Sequence, residues 1–222
     1  MNVKAVIFDM DGVLLDSEPL NLMQIKDVST SFGKTLDDEY LHSLVGRSFH
    51  DTWDETARRL GGNVSLSQYQ ERLKDFPISS EMYKQALFPG VIELLQWLKQ
   101  EGYALALASS STMQTIEKVL KACDIYEYFD VYLSGEMFSR SKPDPQIYIE
   151  TLSQLGLSAH DCVIIEDSRA GIEAAKRAGV CVIARRDDRF GVDAKKANYQ
   201  VDHTYEIREL LIQIKKEAMN ED

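Results

Sequence analysis

The sequence has few of the features that mark secreted or membrane-spanning proteins. Its 222 residues include only three cysteines, and no two of them have CxxC spacing. We therefore expect Cys123, Cys162 and Cys181 to be buried structural thiols in a reducing compartment rather than catalytic ones. No apolar run approaches the roughly 20 residues that a membrane helix needs. The first apolar stretch, Val3 to Phe8, is too short for a signal peptide. A cytoplasmic protein is the expectation.

Positive charge is also scarce. The chain has 25 lysines and arginines against 36 aspartates and glutamates, which leaves a formal net charge of −11. Such a surface repels phosphate backbones, so we expect no nucleic acid as partner. We also expect no membrane as partner and a monomer in solution. A small phosphorylated metabolite would still bind where a metal, lysines and backbone N–H groups make a local positive pocket.

What the chain does have is an alternation of buried strands and helices. Helix-like stretches lie between the apolar runs, and three of them stop at Gly102, Gly156 or Gly179. Such alternation predicts an α/β fold, with a doubly wound parallel sheet covered on both faces. The runs of strand length are Lys4–Asp9, Ala104–Ser109, Val131–Ser134, Cys162–Asp167 and Val180–Ala184.

Residues 17–87 interrupt the alternation, because they contain no convincing strand. Pro89-Gly90 punctuates the return to the alternating pattern. We therefore predict a core domain of residues 1–16 and 88–222 and an inserted α-helical domain of residues 17–87. Its predicted helices are Leu20–Phe32, Asp38–Leu44, Asp51–Leu60 and Ser67–Lys74, with Asp37 or Asp38 and Ser65 or Ser67 as caps.

Polar residues follow several of the predicted strands, where a doubly wound sheet collects its ligands. Carboxylates, hydroxyls and one lysine should therefore meet at one edge of the sheet, as a site for metal and phosphate requires. The strand ends carry Asp9-Met10-Asp11-Gly12, Ser109-Ser110-Ser111-Thr112 and Glu166-Asp167-Ser168, and a returning loop carries Ser141-Lys142-Pro143-Asp144-Pro145.

These residues resemble the four motifs of the haloacid dehalogenase superfamily, in the same order. The chain is most similar to its β-phosphoglucomutase-like and sugar-phosphatase branch. The resemblance spans essentially the whole chain, and it implies a Rossmann-like core, a helical cap after the first strand and Mg²⁺ as cofactor. The matching segments are Val6-Ile7-Phe8-Asp9-Met10-Asp11-Gly12, Ser109 after Leu105–Ala108, Lys142 in Ser-Lys-Pro-Asp-Pro, and Ile165-Glu166-Asp167-Ser168-Arg169-Ala170-Gly171.

The resemblance also implies catalytic and metal-binding roles. Asp9 would attack phosphorus and form an aspartyl-phosphate. Asp11 would protonate the leaving group and then deprotonate the hydrolytic water. The Asp9 carboxylate, the Asp11 carbonyl and Asp167 would hold Mg²⁺, with Glu166 assisting directly or through water.

Phosphate binding would fall to Ser109, Ser110 and Lys142. Ser109 would donate its hydroxyl to a phosphoryl oxygen, and Lys142 would neutralise negative charge and steady Asp9. We expect Ser110 and Ser111 to begin a helix, so that their free backbone N–H groups add positive potential there.

Three functions fit this pattern: a phosphatase, a phosphosugar mutase of the β-phosphoglucomutase type, and a non-catalytic binding protein on the same scaffold. Asp11 argues against dehalogenation, because a halide leaving group needs no proton. The mutase pattern has a cap histidine where this chain has Asn21, and a Gly-x-Ser-Arg stretch where it has Gly46-Arg47-Ser48-Phe49. These departures favour hydrolysis, and the resemblance implies a sugar phosphate as the substrate. Glu18, Asn21 and Arg47 are the candidates for selecting it.

Overall fold

A computed structural model describes residues 2–44, 49–62, 64–189 and 194–219. The chain divides into two compact units, a core unit of Met1–Asp16 with Tyr83–Asp222 and a helical unit of Ser17–Met82. The second boundary falls after Met82, whereas the sequence placed it after Leu87. None of the helices in the described ranges is long and apolar enough to cross a membrane.

The core unit is built on a sheet of six parallel strands. Its strands are β1 (Ala5–Phe8), β2 (Ala104–Ser109), β3 (Val131–Ser134), β4 (Cys162–Glu166), β5 (Cys181–Arg185) and β6 (Tyr199–Val201). They lie in the order β3-β2-β1-β4-β5-β6, which confirms the predicted α/β class with a parallel sheet. Strand β6 was not predicted from the sequence. It has only three residues, of which one is buried, so it gives no recognisable apolar run.

Helices follow most of the strands and fill the helical unit. In chain order the described helices are α1 (Glu18–Ser31), α2 (Asp38–His42), α3 (Phe49–Arg59), α4 (Leu66–Leu73), α5 (Ser80–Ala86), α6 (Val91–Gln100), α7 (Met113–Ala122), α8 (Gln146–Leu155), α9 (Arg169–Arg177) and α10 (Thr204–Met219). The stops predicted at Gly102, Gly156 and Gly179 are confirmed, since all three glycines have positive φ just past a helix.

The core lies on both faces of the sheet, and this explains the apolar character of β1. All four residues of β1 are fully buried. Helices α8 and α9 cover one face, where Tyr148 and Ile172 join the cluster that contains Ile7. Each fully buried aliphatic side chain contributes roughly 1.5–3 kcal/mol. The central strands are therefore a rigid base for whatever follows their carboxyl ends.

The helical unit has its own small cores. Ile25 of α1 packs with Leu41 of α2, while Val28 of α1 packs with Trp53 of α3 and Tyr69 of α4. The rings of Trp53 and Tyr69 lie 5.1 Å apart. Two predicted caps are confirmed: the Asp37 side chain accepts the N–H of Tyr40, and Ser65 forms a capping box with Gln68.

Candidate active site

A buried ammonium ties together three neighbouring strands at their carboxyl ends. The Lys142 Nζ donates to Asp9 Oδ1 at 2.6 Å, to Glu166 Oε1 at 2.7 Å and to the Ala108 carbonyl at 3.0 Å. These partners belong to the ends of β1, β4 and β2, which lie side by side. The Lys142 side chain is only 6% exposed. The Asp144 side chain accepts the N–H of Gln146 and so helps to begin α8 directly after this loop.

Glu166 is fully buried, and both of its oxygens are occupied. Oε1 accepts from Lys142 and from the Tyr148 hydroxyl, the latter at 2.9 Å. Oε2 accepts the N–H groups of Asp167 and Ser168 at 2.9 Å each and the Ser168 hydroxyl at 3.0 Å. Five donors meet a carboxylate that offers about four lone-pair sites. Glu166 is thus fixed in orientation and holds both Lys142 and the turn after β4.

Negative charge exceeds positive charge around Lys142. Burial raises the pKa of Asp9 to about 7, with Glu166 and Asp11 adding to the rise and Lys142 opposing it. Burial and then the charge of Glu166 raise the pKa of Asp167 well above its usual value. For Lys142, burial works against the charge, but Asp9 and Glu166 outweigh it and hold the pKa well above normal. The cluster therefore favours a further cation.

The donor atoms of this cluster suit a hard metal ion. Oxygen atoms of Asp9, Glu166 and Asp167 all lie within 4.8 Å of one another. Within the described ranges, the Asp167 carboxylate accepts no hydrogen bond from protein, so its oxygens are available as ligands. Carboxylate oxygens are what Mg²⁺ prefers.

Asp11 and Gly12 form a tight turn against Asp167. The Ser111 hydroxyl donates to Asp11 Oδ2 at 3.0 Å and so links the loops after β1 and β2. Gly12 has φ +76°, and a Cβ there would lie 1.9 Å from Asp167 Oδ2. Only glycine permits this combination of left-handed backbone and close approach.

The loop after β2 brings Ser109 to the same edge of the sheet but does not continue as a helix. The prediction that Ser110 and Ser111 begin a helix is wrong: Thr112 is the cap, and α7 begins at Met113. Ser109 is buried, and its Oγ accepts the N–H of Ser111 at 3.1 Å. Ser110 is exposed on this loop, outside the first turn of α7.

The candidates for selecting the substrate lie elsewhere in the chain. Glu18 and Asn21 are in the first turns of α1, where the Asn21 N–H donates to the Ser17 carbonyl and the side chain is exposed. Arg47 lies outside the described residues. Their role in selecting a substrate stays a prediction.

Sequence reasoning missed three side-chain contacts at the site. They are the hydrogen bonds that Tyr148 donates to Glu166, Ser111 to Asp11, and Arg185 to the Gly12 carbonyl. Arg185 was findable, because it ends β5 and strand ends are where ligands collect. Tyr148 gave a weaker signal. It lies on the apolar face of α8, and a buried tyrosine hydroxyl usually needs a hydrogen-bond partner.

Comparison with known proteins agrees with this geometry. Residues 6–185 match the model of the haloacid dehalogenase-like hydrolases. A phosphorylated carbohydrates phosphatase from Thermotoga maritima is 35% identical over 180 residues, which cover 80% of this chain and 82% of that protein. Hexitol phosphatase B from Escherichia coli K12 is 35% identical over 198 residues, covering 85% of this chain and 88% of that protein.

The fold also matches solved structures. A candidate β-phosphoglucomutase from Thermotoga maritima superposes with a TM-score of 0.81 at 31% identity. The match covers 96% of this chain and all of the other. The similarity therefore extends over both units of the chain.

Proposed function

This chain belongs to the haloacid dehalogenase-like hydrolase family, and we propose that it is a magnesium-dependent phosphatase acting on a small sugar phosphate through an aspartyl-phosphate on Asp9. The phosphatase class follows from the family and from relatives named phosphatases. One observation carries the finer proposal: the buried Lys142 ammonium holds Asp9 beside Asp167, whose carboxylate has no donor among the described residues. This arrangement puts the proposed nucleophile next to carboxylate oxygens of the kind that Mg²⁺ prefers.

We assign Mg²⁺ to the carboxylates of Asp9 and Asp167 and the backbone carbonyl of Asp11. Glu166 has its lone pairs taken by five hydrogen bonds, so we assign it to holding Lys142 and the turn after β4 rather than to direct ligation. When bound, the cation supplies positive charge that offsets the repulsion between the nucleophile and a phosphoryl group.

The reaction proceeds in two displacements. In the first, an Asp9 oxygen bonds to phosphorus while the bond from phosphorus to the sugar oxygen breaks, and Asp11 gives that oxygen its proton. In the second, Asp11 takes a proton from water as the water oxygen bonds to phosphorus, and the bond to Asp9 breaks. Ser109 donates its hydroxyl to a phosphoryl oxygen, and the Ser111 hydroxyl orients Asp11.

Hydrolysis is favoured over mutase chemistry by one residue of the helical unit. The asparagine side chain of Asn21 cannot relay a proton as an imidazole does near neutral pH. We therefore propose that water, rather than a second sugar hydroxyl, receives the phosphoryl group. We assign substrate selection to the three candidates that the sequence offers in the predicted helical domain, Glu18, Asn21 and Arg47.

Phosphorus NMR of the purified protein tests this proposal directly. The protein is mixed with Mg²⁺ and a panel of sugar phosphates that includes β-glucose 1-phosphate with a trace of the 1,6-bisphosphate. We expect inorganic phosphate to grow and to stop when Mg²⁺ is chelated. Growth of glucose 6-phosphate without inorganic phosphate would instead establish a mutase and contradict our interpretation of Asn21.

Two variants separate the chemistry from contamination and from misfolding. Asp9→Asn should keep the fold and abolish release of phosphate, because an amide is not a nucleophile here. Asp75→Asn is the matched control, since it neutralises an exposed aspartate that pairs with Arg72 in the helical unit. It should retain the wild-type rate. A wild-type rate of phosphate release by Asp9→Asn would refute the assignment of Asp9 as the nucleophile.

A further inference from the structure

Arg185 is a buried cation that the four motifs do not include. It ends β5 and is 7% exposed. Its Nη1 donates to the Gly12 carbonyl at 2.9 Å, and its guanidinium lies 3.5 Å from the centroid of the Phe88 ring. Its Nε has no acceptor in the described part of the chain. The carboxylate of Asp187, with Oδ2 4.0 Å from Nη1, offsets part of the charge. A buried guanidinium with so few hydrogen bonds is still costly to the fold, so its position calls for an explanation.

The hydrogen bond from Arg185 restrains the backbone next to Asp11. Gly12 directly follows Asp11 in the turn, and glycine has the least restricted backbone of all residues. Its N–H donates to the Leu15 carbonyl at 2.8 Å. With the carbonyl held by Arg185, both peptide groups that flank Gly12 are fixed in orientation. One of them carries the Asp11 carbonyl.

The same contact holds the turn against Asp167. The Gly12 Cα lies so close to this residue that an added Cβ would clash with the carboxylate. Burial lowers the pKa of Arg185, and the charges of Asp187, Asp167 and Asp16 oppose that shift. The guanidinium thus stays charged near the acidic cluster. Its position connects the end of β5 to the turn after β1.

We propose that Arg185 is a positioning residue for phosphoryl transfer, which fixes the Gly12 peptide so that Asp11 is held in its working orientation. The inference rests on the proposed chemistry of Asp9 and Asp11. It predicts an effect on the chemical step rather than on phosphate binding, because Arg185 contacts neither Ser109 nor Lys142 in any hydrogen bond of the described residues.

The test compares Arg185→Met, Arg185→Lys and Arg186→Ala with wild type. Methionine keeps an apolar stem against Phe88 but removes the charge and the donor, whereas lysine keeps both a charge and a donor. Arg186 is the matched control, because this adjacent arginine is exposed and pairs with Asp202. The measured quantity is the rate at which the starting sugar phosphate is consumed, because both hydrolysis and transfer to a second hydroxyl consume it.

We expect Arg185→Met to lower kcat by about tenfold or more while KM changes by less than about threefold. Arg185→Lys should recover at least about fivefold of that loss, and Arg186→Ala should stay within about twofold of wild type. A folded Arg185→Met with wild-type kcat would overturn the proposal. So would an equal loss of kcat in the lysine and methionine variants. The identity of the product tests the phosphatase proposal separately.

Discussion

At the scale of single residues, the site is a problem of charge balance. The carboxylates of Asp9, Glu166 and Asp167 lie close together around one buried ammonium, that of Lys142. Three carboxylates and one ammonium leave a formal surplus of two negative charges, which one divalent cation would neutralise. The raised pKa values of Asp9 and Asp167 have this origin, since burial and like charges both disfavour a second and third ionised carboxylate.

Tyr148 shows how a residue outside the motifs supports this balance. Its hydroxyl donates to Glu166 Oε1, and the Lys142 Nζ lies 4.9 Å from the centroid of its ring. Tyr148→Phe removes one donor from a fully buried carboxylate that keeps four others, so we expect a loss of about 0.5–1.5 kcal/mol in the free energy of unfolding. We also expect a fall in kcat of a few-fold, because Glu166 helps to place Lys142. Urea unfolding and steady-state kinetics measure the two effects.

Tyr132→Phe is the matched control for that prediction. The Tyr132 hydroxyl donates to the carbonyls of Tyr126 and Phe129, in the same unit but with no bond to the acidic cluster. It should destabilise the fold without changing kcat. If both variants lose kcat in proportion to stability, Tyr148 has no specific link to the site.

At the scale of elements, the start of α9 is the tightest contact with the site. Gly171 lies in its first turn, donates its N–H to the Ser168 hydroxyl, and leaves no room for a side chain. A Cβ at Gly171 would lie 1.6 Å from Glu166 Oε1, far inside van der Waals contact. Glycine is therefore required here by the carboxylate and not by the helix.

Gly171→Ala should displace either α9 or the Glu166 side chain. We expect a marked loss of thermal stability and of kcat, because the new methyl group occupies the space of the Glu166 carboxylate. Gly135→Ala is a graded comparison, since its Cβ would lie 3.1 Å from the Ser110 Cα and needs only a small adjustment. Melting temperatures rank the two variants. Equal stability of Gly171→Ala and wild type would show that the packing of α9 on Glu166 is looser than described.

The sequence could predict most elements, because their signals are local. Buried runs such as Ala104–Ser109 and stops such as Gly156 are read from neighbours along the chain. The start of α7 could not be read this way, since four consecutive residues from Ser109 to Thr112 are all of the capping type. Contacts from the end of β3 and the turn after it fix this start: the Ser134 hydroxyl donates to the Ser111 carbonyl, and the Glu136 side chain accepts the N–H of Met113.

Some features of the candidate site could also be predicted from the sequence, and others could not. The strand-end rule predicted that Asp9 and Asp167 lie together, and the expected return of a loop over the sheet added Lys142. The structure places Lys142 in contact with Asp9, and carboxylate oxygens of Asp9 and Asp167 within 4.8 Å of one another. The pairing of Arg185 with the Gly12 carbonyl spans 173 positions in sequence, and no local pattern announces it. That Glu166 is saturated with donors also follows only from the packed structure.

At the scale of the whole molecule, the acidic site makes stability depend on pH when no metal is bound. The pKa of Asp9 is about 7 in the folded chain against 3.8 for the unfolded one. Between these values the folded state keeps a proton that the unfolded state has released. Because the folded state then binds more protons, the free energy of unfolding falls as pH rises through this window. The lowered pKa of Glu166 acts only at the acidic end, where stability falls as the pH drops.

Urea unfolding in the presence of a chelator tests this linkage, with Asp9→Asn as the reference because it cannot titrate at that position. We expect the stability of wild type relative to Asp9→Asn to fall between about pH 5 and about pH 7. Mg²⁺ requires the ionised carboxylate, so it should raise the melting temperature of wild type more above this window than below it, and raise that of Asp9→Asn much less. A wild type that gains stability over Asp9→Asn across the same window would mean that Lys142, and not burial, sets the charge of Asp9.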